Sequence, residues 1–188
     1  ALPRDHNNIN KSVMNPKLYW SLFSSIILLA LFLRLLPARN NNFYFTMDQG
    51  RDAVYVREII VRHKFPILGP LTSIPDTYIG PLWYYFLTPG FVLFSGHPFG
   101  AVFMIILLSV LVTATVILKI SNEISPPTGL FIGAALHFSW LYYDASRYAF
   151  NPLAIVFLAF LFLLLLTDFL KGETTPTYKS GLLSYHWV

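Results

Sequence analysis

The chain has 188 residues, of which 55% are hydrophobic and only 12% are charged. Because soluble domains carry about 25% charged residues, this composition excludes an ordinary soluble protein and indicates that lipid is the main solvent. The absence of cysteine excludes disulfides, thiolate catalysis and cysteine-ligated zinc. The net charge of +4 is too small to indicate nucleic-acid binding.

The N-terminal part predicts a polar tail followed by one membrane crossing. Residues 1–17 are polar, and residues 18–36 form an apolar run that matches the ~20 helical residues of a bilayer core. A signal peptide is the alternative, but the run is long for one and no small-residue cleavage site follows it. We expect Pro37 to end the helix and Arg34 to extend its guanidinium to the interface.

Residues 37–77 form a long loop that contains a predicted amphipathic helix over 49–64. At 100° per residue, one face carries polar side chains and the other apolar ones. The helix is too polar to span, so we expect it to lie at the interface with its apolar face in lipid. Asp52 departs from this pattern, because the same geometry places it beside the apolar face. The polar face comprises Arg51, Tyr55, Glu58 and Arg62, and the apolar face Ala53, Val56, Ile59 and Ile60.

Residues 78–95 carry no charge but contain Pro81, Pro89 and Gly90. Proline inside a helix costs about 3 kcal/mol, so a straight spanning helix is disfavoured. We expect a broken or re-entrant segment, or a pair of short interfacial helices. Such backbone is tolerated at membrane depth only where protein or water satisfies its polar groups.

Three later apolar runs predict three more crossings. They cover residues 98–118, 128–146 and 152–170, and His137 within the second is expected to be a neutral hydrogen-bonding group between helices. The predicted fold is therefore an all-α, polytopic membrane helical bundle with its membrane domain over 18–171. Residues 172–188 are expected to be a polar tail and the start of a truncated further segment.

The charges leave the orientation of the loop open. If 78–95 does not cross, the long loop and Arg147 share one side, and the N-terminal tail, Lys119 and Lys171 share the other. Positive residues occur on both sides, so counting them favours a cytoplasmic tail only weakly.

Asp48 is the candidate catalytic carboxylate of the loop. Aspartate is favoured at a helix N-cap, where its charge suits the helix dipole, and this structural role is one interpretation. The other is a general base that accepts a proton from a hydroxyl at the membrane–water boundary.

Arginines are the candidate phosphate-binding residues. Arg51, Arg57 and Arg62 are interpreted either as a solvated surface that attracts acidic headgroups or as guanidinium groups that bind phosphate. Arg147 lies between two apolar runs beside Tyr148, which is typical either of an aromatic belt or of a clamp on a lipid phosphate. We include Gln49 among the substrate-binding candidates, and no spacing of histidines or acids indicates a metal site.

Four patches in this chain carry a family resemblance. The chain resembles the N-terminal membrane part of GT-C glycosyltransferases related to protein O-mannosyltransferases and lipid A aminoarabinose transferases, particularly bacterial relatives with a DQGRD loop. The patches are Leu33-Arg34-Leu35, the five residues Asp48 to Asp52, the six residues Gly80 to Tyr85, and the segment Tyr143 to Pro152.

The resemblance implies that the first loop is extracytoplasmic, that Asp48 is the base and that Arg147 lies on the same side. Two positions depart from the family. His97-Pro98-Phe99 stands where relatives often have an arginine, and Gln49 follows Asp48 where they often have Asp-Glu. The donor sugar and the acceptor are therefore not carried over.

The favoured function is an inverting membrane glycosyltransferase that moves a sugar from a polyprenyl-phosphate donor to a hydroxyl of a protein, lipid or glycan. No cofactor or divalent metal is implied, the partners are membrane lipid, donor and acceptor, and the expected location is the bacterial plasma membrane. One alternative is a transporter or flippase of lipid-linked saccharides. Another is a non-catalytic membrane subunit.

Overall fold

The computed structural model describes residues 14–174, which fold into helices joined by loops without a β-strand. The predicted all-α class is confirmed for this part, and the rest of the predicted tails lies outside it. Three helices, α1, α4 and α7, are long and apolar enough to cross a membrane. The helices are α1 Pro16–Arg39, α2 Met47–Arg62, α3 Leu82–Leu93, α4 Phe99–Glu123, α5 Pro126–Phe138, α6 Trp140–Ala145 and α7 Asn151–Thr174.

Helix α1 runs through Pro37, so the prediction that this proline ends the helix is wrong. Proline has no N–H, and Pro37 therefore leaves the carbonyl of Leu33, four residues earlier, without its helical donor. The hydroxyl of Tyr143 donates to that carbonyl at 3.3 Å. The helix continues to Arg39, and Tyr143 of α6 supplies a donor to the carbonyl that Pro37 leaves free.

The predicted crossing over 128–146 is interrupted. Helix α5 ends at Phe138, Ser139 adopts an extended conformation (φ −65°, ψ 129°), and α6 begins at Trp140. A helix that ends leaves its last carbonyls without helical donors. The carbonyl of His137 in this last turn accepts a hydrogen bond from Arg34 of α1 at 3.0 Å.

Arg34 is fully buried among the helices, so the expectation that its guanidinium reaches the interface is wrong. Its Nε donates to Ser146 Oγ at 2.7 Å, and a terminal nitrogen donates to the carbonyl of Ala30 at 3.2 Å. The guanidinium also faces the C-terminal end of α5, whose dipole favours a positive charge. Polar groups of α5 and α6 thus replace the water that snorkelling would have reached.

Helix α3 continues through Pro89 as one helix, so the expected break into a pair of short helices is wrong, and the re-entrant alternative for 78–95 stays a prediction. Pro81 occupies the N-cap position without a side-chain capping hydrogen bond. Its 12 residues extend about 18 Å, which is shorter than a hydrocarbon core of about 30 Å. Gly90 packs against Gly100 of α4 so closely that a Cβ on either glycine would collide with the backbone of the other.

Side-chain contacts fix the relative directions of the long helices. Tyr19 at the start of α1 donates to Ser121 near the end of α4 at 3.1 Å, so these two helices run antiparallel. Near the ends of α4 and α7, Lys171 pairs with Glu123 at 2.7 Å, so these two helices run in the same direction. The end of α1 and the starts of α4 and α7 therefore meet at one end of the bundle, which we call the loop end.

Helix α2 buries one face against α3 of the same chain. The apolar residues Val56 and Ile59 are buried as expected, but they pack on protein side chains rather than facing lipid. Gln49 and Asp52 are buried on the same helix. Asp52, which departed from the amphipathic pattern, therefore belongs to the buried face of α2.

Candidate functional site

The first turn of α2 leaves the side chain of Asp48 free of a capping role. Thr46 is the N-cap residue, and Gln49 Oε1 accepts hydrogen bonds from the backbone N–H and the hydroxyl of Thr46, both at 2.7 Å. This is the capping-box arrangement. The interpretation of Asp48 as the N-cap is therefore wrong, and its side chain remains 45% exposed.

Arg51 lies between two carboxylates. One terminal nitrogen pairs with Asp48 Oδ1 at 3.0 Å, while Nε and the other terminal nitrogen donate to Asp52 Oδ1 at 3.1 and 3.0 Å. The side chain is one-third exposed. Its charge is thus shared within α2 before any ligand is bound.

Asp52 is a buried partner in this cluster that the sequence did not identify as functional. Its residue is 1% exposed, and Oδ2 accepts a hydrogen bond from Trp83 Nε1 at 2.7 Å. Burial raises the pKa of Asp52 above its ordinary value, and the hydrogen bonds from Trp83 and Arg51 oppose this rise. A continuous chain of contacts therefore runs from Trp83 of α3 through Asp52 and Arg51 to Asp48.

A second aromatic residue, Tyr84, packs beside this cluster. Its ring stacks on Tyr55 of α2 with centroids 4.8 Å apart, and its hydroxyl is buried near the guanidinium of Arg51. Burial raises the pKa of Tyr84 to about 12, so it is neutral at physiological pH. The patch Gly80 to Tyr85 pointed to this segment, but nothing in the sequence paired Trp83 with Asp52.

Arg147 anchors the loop that follows α1. One terminal nitrogen donates to the hydroxyl of Tyr143 at 3.1 Å, and the other donates to the backbone carbonyl of Asn42. The guanidinium also lies over the ring of Tyr143, 5.2 Å from its centroid. In the described part of the chain, its buried Nε has no hydrogen-bond partner.

Gln49 and Tyr148 join the same two segments. Gln49 Nε2 donates to the carbonyl of Ala149 at 3.3 Å, and the hydroxyls of Tyr148 and Thr46 are 3.5 Å apart. Residues 42–49, which include Asp48, therefore contact residues 147–149 at the loop end. The candidates Asp48, Gln49, Arg51, Arg147 and Tyr148 belong to one region of the structure.

Arg57 does not join this region. Nine residues at 100° per residue place it on the opposite side of α2 from Asp48. It is exposed and lines an apolar groove of about 550 Å³ between α2 and the end of α3. None of the residues 14–174 forms an ion pair or a hydrogen bond with its guanidinium.

Within residues 14–174, no three His, Asp or Glu side chains lie close enough together to hold a metal ion. Comparisons of the chain with protein-family models, with curated proteins and with solved structures find no match. The glycosyltransferase resemblance therefore rests on the residue patterns alone.

Proposed function

We propose that the chain belongs to an integral membrane glycosyltransferase. It moves a sugar from a polyprenyl-phosphate donor to a hydroxyl acceptor, with inversion, at the extracytoplasmic face of the membrane. The observation that carries the proposal is the half-exposed Asp48 carboxylate, free of capping, oriented by Arg51 and adjoining the segment of Arg147. Loop-end residues next to three long apolar helices are where an enzyme would meet a lipid-linked substrate.

Asp48 is the general base of the proposed reaction. Its carboxylate accepts the proton of the acceptor hydroxyl, and the oxygen attacks the anomeric carbon of the donor as the bond from that carbon to the phosphate oxygen breaks. The bonding electrons leave with the polyprenyl phosphate. A phosphate that is already ionised needs no strong acid to leave, so one carboxylate is sufficient, in contrast to the pair in a glycosidase.

Arg147 is the proposed partner of the departing phosphate. A guanidinium matches phosphate oxygens in charge and geometry and stabilises the negative charge that develops on them. Arg147 reaches the phosphate by exchanging its hydrogen bond with the Asn42 carbonyl for one with a phosphate oxygen. Arg51 adds a second positive charge beside Asp48 and keeps its carboxylate oriented.

The test is transfer of a radiolabelled sugar from a polyprenyl-phosphate donor by the protein reconstituted in lipid vesicles. We expect Asp48→Asn to lower turnover by about 10²- to 10⁴-fold, the usual contribution of a general base. Asp76→Asn is the matched control, since Asp76 is an exposed residue of the same loop with a φ of 55° that asparagine also adopts. Undiminished turnover in Asp48→Asn would refute the role of Asp48. Movement of the donor across the vesicle without bond cleavage would identify a flippase instead.

A further inference from the structure

Three aromatic rings form a small platform at the start of α2. The ring of Tyr44 lies 5.1 Å from that of Tyr148, and the ring of Tyr148 stacks on that of Phe150 at 5.2 Å with 17° between their planes. Tyr44 is 53% exposed although it contacts Tyr148. About half of its surface is therefore open to a ligand.

The backbone on both sides of this aromatic platform is held in place. Arg147 donates to the carbonyl of Asn42, two residues before Tyr44. Gln49 donates to the carbonyl of Ala149, the residue between the other two rings. A preformed aromatic surface loses little conformational freedom when a ligand binds, and this favours weak but specific recognition of a rigid ring.

Pyranose rings have the chemistry that such a surface recognises. One face of the sugar presents C–H bonds with slight positive charge, and the face of an aromatic ring is slightly negative. The hydroxyl groups at the edge of the sugar require polar partners. The hydroxyls of Tyr148 and Thr46, 3.5 Å apart, lie at the edge of the platform and can donate or accept hydrogen bonds.

We propose that Tyr44 and Tyr148 bind the pyranose ring of a saccharide. Asp48 lies two residues beyond Thr46, whose hydroxyl contacts Tyr148, so a sugar on the platform lies next to the proposed base. The assignment of this sugar to the transfer reaction rests on the proposed function. Binding of the saccharide itself is independent of it.

An aromatic pair at a membrane interface is the competing explanation, because tyrosines are enriched at the headgroup level. An interfacial role requires no saccharide contact and tolerates substitution of either ring. The two explanations therefore differ in a direct binding measurement.

The experiment is saturation-transfer difference NMR with methyl α-D-mannopyranoside and methyl α-D-glucopyranoside, which suits weak binding. The protein is kept in a detergent without a sugar headgroup. We expect a signal on the C–H protons of at least one pyranoside with the wild type and with Tyr44→Phe, which keeps the ring. Tyr44→Ala should weaken binding about fivefold or more, as expected for loss of an aromatic contact. Tyr78→Ala, at an exposed tyrosine of the connection between α2 and α3, is the control and should bind like the wild type.

The proposal would be overturned if neither pyranoside gave a saturation-transfer NMR signal with the wild type. Equal NMR signals in Tyr44→Ala and Tyr78→Ala would also overturn it. The sugar-transfer assay separates it from the proposed function. If pyranoside binding depends on Tyr44 but no sugar is transferred, the platform stands and the proposed reaction fails. If sugar is transferred and Tyr44→Ala changes neither binding nor turnover, the reaction stands and the platform fails.

Discussion

Arg34 of α1 donates a hydrogen bond to the carbonyl oxygen of His137 at 3.0 Å, and both residues are buried. The carbonyl belongs to the last turn of α5, immediately before the break at Ser139. An arginine that would otherwise require water is thus satisfied by the end of an interrupted helix. In return, a carbonyl in the last turn of the interrupted helix, which has no donor within that helix, gains one from Arg34.

The first prediction concerns this contact. Arg34→Met keeps an unbranched, though shorter, side chain but leaves the His137 carbonyl without its donor, at a cost of about 1–3 kcal/mol in the free energy of unfolding. Thermal unfolding in detergent micelles, followed by circular dichroism, measures the loss. Arg39→Met is the control, since Arg39 is exposed at the end of the same helix. Equal melting temperatures for the two variants would contradict this account of Arg34.

The second prediction concerns the contact between α3 and α4. Gly90→Ala introduces a Cβ that collides with the backbone of Gly100, and the helices must separate, at a cost of about 1–3 kcal/mol. In Gly50→Ala the new Cβ meets no atom within 4 Å, so the variant should gain about 0.5–1 kcal/mol of stability from its helix position. Chemical denaturation of both variants measures the opposite signs. A neutral Gly90→Ala would show that α3 does not need this close approach.

The third prediction is the pH dependence contributed by Asp52. Its pKa in the folded protein is raised above the ordinary value of 3.8, so the folded state binds this proton more tightly than the unfolded chain. The stabilising contribution is complete below pH 3.8 and is lost as the pH rises through the raised pKa.

Comparison with Asp52→Asn isolates the pH-dependent contribution of Asp52 to the free energy of unfolding. The free energy of unfolding of the wild type minus that of Asp52→Asn should decline as the pH rises from 3.8 and then become constant. Denaturant titrations of both proteins across the acidic range give this difference. A difference that increases with pH would mean that the hydrogen bonds of Trp83 and Arg51 outweigh the burial of the carboxylate.

The fourth prediction concerns the anchoring of the loop by Arg147. Lysine keeps the charge but lacks the planar fork that serves the Tyr143 hydroxyl and the Asn42 carbonyl together. In Arg147→Lys we expect amide hydrogens of residues 42–49 to exchange about tenfold faster, since a bond to a charged donor is lost. Hydrogen-exchange mass spectrometry reports this, and Arg57→Lys, at an exposed arginine, should leave the rates unchanged.

The long apolar helices could be recognised from the sequence because length and hydrophobicity determine them locally. The direction in which the Arg34 side chain points could not be predicted from the sequence. Its partners Ser146 and the His137 carbonyl lie 112 and 103 residues further along the chain, and no local pattern reveals a contact at that distance. Nothing in the sequence indicated the break at Ser139 either, because no proline or glycine stands at that position.

Other features had a signal that was available in the sequence. Thr46 and Gln49 have the spacing of a capping box, which identifies Thr46 rather than Asp48 as the cap. The displacement of Asp52 toward the apolar face correctly indicated an unusual environment. Its partner Trp83 depends on how α2 packs on α3, which local periodicity does not determine.

The pairing of Arg34 with the break after α5 also imposes an order on synthesis. Translation proceeds from the N-terminus, so Arg34 is added to the chain about one hundred residues before His137 and Ser146. Until α5 and α6 emerge, the only one of its three acceptors among residues 14–174 that the nascent chain contains is the carbonyl of Ala30, in the same helix as Arg34. The contact can form only after α5 and α6 have been made, and a chain interrupted before Ser146 would lack the acceptor of Arg34 Nε.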